Sequence, residues 1–197
     1  DFTEDTQMAR WFKSLPDQWE AFDGDNGAAF TKWLSSKGYD GALIQETGVG
    51  LANEPTQDVW VALDPSQIKS ADPVTRDESG NVIPLSQRFN PADDRITYSI
   101  QKRGGVPKAE QDAEYLAAVQ AGDMETAQRM VDAAAKAAGL VAGFHGTPRE
   151  TRLAPNEFKT TGGSTLGAGA YFSEDKTQAD RYDFRGDAQM YFLDVEL

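Results

Sequence analysis

The spacing of apolar residues changes twice along this chain, and those changes constrain its fold more than any other feature. Over residues 1–38, Trp11, Leu15, Trp19 and Phe22 recur at three- to four-residue intervals, and Ala29, Phe30, Trp33 and Leu34 repeat the pattern before Lys37-Gly38. That is the period of a helix with one apolar face. Gly24-Asp25-Asn26-Gly27 reads as the turn between two such helices. The period then shortens. Ala42-Leu43-Ile44, after Tyr39-Asp40-Gly41, is a short strand, and Val59 to Leu63 is a β-branched and aromatic run stopped by Asp64-Pro65, the mark of a buried strand. Beyond Ile68 the Pro-, Asp- and Ser-rich composition predicts a surface excursion as far as Tyr98.

A linker is expected over 101–108, followed by two helices. The first spans about residues 109–121, with Tyr115, Leu116 and Val119 on one side. Gly122 breaks it, and Asp123 is a natural N-cap for the second, which runs over about 124–138 with Met124, Ala127, Met130, Val131 and Ala134 on one face and ends at Gly139. This pair reads as a packing hairpin. From Leu140 the strand period returns: Leu140 to Phe144, then Ala170 to Phe172, a short helix from Glu174 to Tyr182, and an alternating run from Met190 to Leu197. Helices segregated from strands in this way define an α+β protein.

Composition removes several functions. The 39% hydrophobic and 10% aromatic content is that of a globular chain. A net charge of −13 repels phosphate backbones, and no Lys/Arg run offsets it, so general nucleic-acid binding is not expected. The absence of cysteine removes disulfides, thiolate metal sites and thiol nucleophiles, and suits a reducing cytoplasm. No apolar run approaches the roughly 18–20 residues that span a bilayer, so no membrane partner is expected. Asp1 as first residue suits a piece of a longer chain.

Three elements carry candidate chemistry. His145, the only histidine, follows an apolar strand and precedes Gly146-Thr147, where a small residue allows close approach to the backbone and Thr147 adds a hydroxyl. Gly167-Ala168-Gly169-Ala170-Tyr171-Phe172-Ser173 brings a Gly-rich loop to an aromatic strand, with Ala179 and Tyr182 beyond it; Tyr171 and Tyr182 would wall a slot for a flat ring. Neither a Rossmann fingerprint nor a phosphate loop is present, and no metal site is expected. The third element, Gln57 to Ser70, is by itself a buried strand ending in a turn.

Taken together, these elements resemble the ADP-ribosyltransferases of the diphtheria-toxin and poly(ADP-ribose)-polymerase type, in the version carried by multidomain proteins of bacteriophages and mobile elements. The family's His-Gly-Ser/Thr strand is matched by His145, Gly146 and Thr147. Its Gly-rich approach to Tyr-Phe, with a further Tyr eleven residues on, is matched by Gly169, Tyr171, Phe172 and Tyr182. Its last strand and following turn resemble Trp60 to Ile68, and its phage versions add Trp-rich helices, a Gly-Tyr-Asp-Gly as at Gly38 to Gly41, a segment like Phe89 to Ser99 and a helix pair like 110–138. The resemblance implies a split mixed or antiparallel β-sandwich with flanking helices plus the hairpin. It also implies transfer of ADP-ribose from NAD, as substrate, to a protein or small-molecule acceptor with release of nicotinamide. His145 would hold a ribose hydroxyl, Gly146 and Thr147 the carboxamide end, and Tyr171 and Tyr182 the nicotinamide ring, with Phe172 and Ser173 beside them. Other domains of a larger polyprotein, and delivery into a bacterial host by a virion, belong to the same picture.

Two departures stand out. The family's halves come in reverse order: residues 1–100 correspond to its C-terminal half, 101–138 to linker and hairpin, and 139–197 to its N-terminal half. Either a circular permutation or a junction of tandem domains gives that order, and a domain-swapped dimer would pair the halves in either case. The family's catalytic glutamate stands directly before the aromatic of the last strand, where this chain has Val59. Asp58, which a bulge would have to redirect, and Glu54 on the preceding loop are the substitute carboxylates.

Overall fold

The computed structural model describes residues 3–15, 21–22, 24–46, 57–89, 110–147, 153, 158, 169–183 and 186–195 of the 197. In chain order the elements are α1 (Thr3–Ser14), α2 (Gly24–Ser36), β1 (Gly41–Glu46), β2 (Gln57–Ala62), β3 (Ile68–Ser70), α3 (Leu85–Arg88), α4 (Glu110–Ala121), α5 (Met124–Ala137), β4 (Val141–His145), β5 (Ala170–Ser173), α6 (Lys176–Asp180) and β6 (Gln189–Leu193). The chain is therefore a mixed α+β protein. The predicted linker at 101–108 and the segment Asn90 to Ser99 lie outside the described residues.

The strands form one six-stranded sheet in the order β1-β2-β5-β4-β6-β3, rather than two separately bonded sheets, and every neighbouring pair is antiparallel. The pairing is uneven. β1 and β2 are matched from Gly41↔Ala62 to Glu46↔Gln57, and β4 and β6 from Val141↔Leu193 to His145↔Gln189. β4 meets β5 only at Phe144↔Ser173. The sheet is thus two three-stranded halves, β1-β2-β5 and β4-β6-β3, stitched at a single pair. Each half draws strands from both ends of the sequence, since β5 joins β1-β2 and β3 joins β4-β6.

Register fixes the faces. Ile44, Val59, Ser173, Phe144 and Met190 occupy one row across five strands, so their side chains share a face. On that face α1 and α2 cover the first half, where Phe22, Phe30 and Leu34 bury Ile44, Val59 and Val61, and the rings of Trp11, Phe12 and Trp33 pack around Phe30. The α4–α5 hairpin covers the second half, burying Tyr115, Val131, Ala134 and Ala135 in one cluster with Phe192. The opposite face gathers Trp60, Phe172, Tyr191 and Leu193 with Leu153 and Phe158.

Local chemistry explains most boundaries. The Asp123 side chain accepts from the Thr126 amide and starts α5, while Gly122 at φ +75° takes the left-handed turn between the hairpin helices. The Gly24-to-Gly27 stretch, expected as a turn, is instead the first turn of α2. A Cβ at Gly27 would lie 2.0 Å from the Phe22 carbonyl oxygen, so glycine serves there to let the helix start against the preceding backbone.

Residues 68–89 do not wander over the surface as their composition predicted. Lys69, Ile83, Leu85, Arg88 and Phe89 are almost completely buried. The Arg88 guanidinium donates to the carbonyls of Ser70 (3.0 Å) and Pro73 (3.4 Å), and the Tyr115 hydroxyl donates to Pro73 at 2.8 Å. Ser70, Pro73 and Arg88 are instead bonded beneath the helical hairpin, while Arg76 and Glu78 to Asn81 stay on the surface in a turn. No helix among the described residues is long and apolar enough to cross a membrane.

Candidate functional site

A cleft opens where the two halves of the sheet part. It is lined by Ile44, Val59, Phe144, His145, Gly146, Tyr171, Phe172, Ser173, Gln178, Ala179 and Tyr182. Because Val59, Phe144, Tyr171 and Ser173 belong to one face and Phe172 to the other, the cleft enters the seam itself. Its walls are mainly apolar, with few polar groups, the usual make-up of a small-molecule site.

His145 sits at the end of β4 and fastens this seam. Continued two residues past Phe144↔Ser173, the register would set Gly146 against Tyr171, but the ladder stops and the imidazole takes over. His145 Nδ1 lies 2.8 Å from the Tyr171 carbonyl oxygen. A carbonyl only accepts, so Nδ1 carries the proton; in the neutral ring, Nε2 is then an acceptor. Burial pushes the imidazole below its ordinary value, against the opposing effects of the Tyr171 hydrogen bond and the charge of buried Asp183. The ring packs at 4.9 Å from Phe158 and 5.4 Å from Phe172, centroid to centroid.

Tyr171 and Tyr182 both line the cleft, one from β5 and one from just beyond α6. The Tyr171 ring is steadied edge-on by Phe22 at 6.2 Å. Gly169, at φ +120°, lets the chain enter β5 past Val61, whose Cγ1 would be 2.5 Å from an added Cβ. Gly167 and Ala168 lie outside the described residues. Phe172 and Ser173 complete the β5 contribution, and the Ser173 hydroxyl accepts from the Asp175 amide at 3.0 Å ahead of α6.

Other candidates fall differently. Gly146 borders the cleft, but its missing side chain makes room for α6 rather than for a ligand: a Cβ would stand 2.0 Å from the Ala179 carbonyl oxygen. Thr147 is buried and is not among the lining residues. Asp58 is exposed and absent from the lining, one residue from Val59, whose side chain is inside; no bulge turns it inward, since β2 pairs without interruption. Glu54 lies outside the described residues. Among the described lining residues there is no carboxylate, and no group of described His, Asp or Glu side chains is arranged to hold a metal ion.

Sequence reasoning missed Ile44, Gln178 and Asp183. Ile44 reaches the cleft only through the pairing of β1 with β2, which no local signal announces. Gln178 was hidden in a short polar helix, although its position next to Ala179 and four residues before Tyr182 on the expected helix would have placed it on the same side. Comparison of the chain with protein-family models, with curated proteins and with solved structures finds no match in any of the three.

Proposed function

We propose that the chain is an NAD-dependent ADP-ribosyltransferase-type module whose cleft receives the nicotinamide end of NAD, the ADP-ribose passing to a protein or small-molecule acceptor as nicotinamide leaves. One observation carries this reading: His145, Tyr171 and Tyr182, spread over 38 residues of sequence, converge on a single apolar cleft at the seam of the sheet. Aromatic walls suit a flat, electron-poor ring. A neutral imidazole with Nδ1–H committed to the Tyr171 carbonyl offers Nε2 to a ribose hydroxyl. The completion of one sheet by strands from residues 41–70 and 141–193 supports a single permuted unit of the transferase kind over a junction of two domains.

Cleaving the bond to nicotinamide leaves an oxocarbenium-like sugar, which a carboxylate stabilises while orienting the acceptor. Glu54, three residues before β2 in the sequence, is the remaining candidate for that role, because Asp58 faces away. A second reading, a module that holds NAD without turning it over, is favoured by Val59, which occupies the cleft side of β2 at the position where the resemblance expects glutamate. Two measurements separate these readings. Calorimetric titration with NAD tests the site, and nicotinamide release by folded protein with protein and small-molecule acceptors tests the reaction. Binding with release supports the enzyme, binding alone supports the second reading, and no binding removes both.

A further inference from the structure

The helix α6 is a turn and a half long, yet it buries a carboxamide. Asp175 caps it by accepting from the Thr177 amide at 2.8 Å, and its exposed side carries Lys176 and Thr177. Its inner side presents Gln178 and Ala179, each 3% exposed. Gln178 lines the cleft, and its Oε1 is buried with no hydrogen-bond partner among the described residues. A buried amide atom without a partner is costly, and a packing role at this place would be served better by leucine or methionine.

We infer that Gln178 is the residue that reads the primary carboxamide of the ligand, and that through it the cleft selects nicotinamide, free or as part of NAD, against nicotinic acid and its dinucleotide. The inference rests on the function proposed above and assigns to Gln178 a task that the resemblance gave to Gly146 and Thr147. A primary carboxamide offers two N–H donors beside an acceptor oxygen, so one of its N–H groups completes Gln178 Oε1. A carboxylate does not. Against Oε1 it sets lone pair on lone pair; against the amide nitrogen it gains a donor but must bury a full charge among Ile44, Val59, Phe144 and Tyr171, with no Lys or Arg among the described lining residues. A site built to bond a polar group rejects the analogue that leaves its own groups unpaired.

The test is calorimetric or ligand-observed NMR titration of the full chain with nicotinamide, nicotinic acid and NAD, for the wild type and for Gln178→Met, which keeps the volume and removes both polar atoms. The wild type is expected to bind nicotinamide at least tenfold more tightly than nicotinic acid. Gln178→Met should melt no lower than wild type, bind nicotinamide at least tenfold more weakly and lose most of the discrimination. Should Gln178→Met not fold, the wild-type preference alone decides. A wild type that binds NAD without preferring amide to acid overturns this inference while leaving the proposed function intact, as does a folded Gln178→Met with unchanged affinity and preference. A wild type that binds neither nicotinamide nor NAD overturns both.

Discussion

At the scale of single residues, the contrast between Val59 and Asp58 is decisive for chemistry. They are neighbours on β2, but the first lines the cleft and the second faces solvent. Under the proposed function, Val59→Glu is therefore expected to raise nicotinamide release from NAD about tenfold or more, since a carboxylate aimed at developing positive charge supplies what the described lining lacks. Asp58→Asn should leave release unchanged; both rates are read by chromatography of free nicotinamide. His145 gives a second expectation. Its folded-state pKa lies below its ordinary 6.5, so between those values the unfolded chain holds more protons and stability rises with pH. The contribution is complete above about pH 6.5 and is lost as pH falls toward the folded value. Melting temperatures between pH 7.5 and 5 should fall more steeply for the wild type than for His145→Asn, which does not titrate. Parallel curves would mean that the imidazole is not held neutral by burial. Ligand affinity should weaken over the same acid range, as Nε2 loses its lone pair.

At the scale of elements, legibility followed locality. α4 and α5 were readable to within a residue or two because period, breaker and cap all lie in the local sequence: Tyr115, Val131 and Ala134 recur on one face, and Gly122-Asp123 marks the corner. β2 and β4 were readable as runs of apolar residues. The segment 68–89 was not, because its burial depends on α4 and α5 lying over it, and Pro73, Ser70 and Arg88 look like surface residues until those partners arrive. The site was half legible for the same reason. His145, Tyr171 and Tyr182 carry chemistry in their own side chains, whereas Val59 enters the cleft through pairing with a strand more than a hundred residues away, and Ile44 through its pairing with Val59. The hold of the hairpin on the 68–89 segment is open to measurement. Tyr115→Phe leaves the Pro73 carbonyl without its 2.8 Å donor and is expected to destabilise the fold by about 1 kcal/mol in chemical denaturation. No change would show that another donor serves the Pro73 carbonyl equally well.

At the scale of the whole molecule, the two ends of the sequence are interleaved in one sheet, so neither end contains a complete half. Pieces comprising residues 1–100 and 110–197 should be unfolded when made separately and should assemble when co-expressed, with recovery of far-ultraviolet dichroism and co-purification as the readout. Independent folding of either piece would contradict the interleaving. The single Phe144↔Ser173 contact has a mechanical corollary. Thermal agitation parts a sheet along the line crossed by fewest backbone bonds, and here that line runs between β4 and β5, so amides beside it should exchange with deuterium well before those within β1-β2 or β4-β6. Under the proposed function, a flat guest lodged there would lean on both halves at once and act as a wedge that locks the joint, turning the weakest line of the bare protein into a braced one.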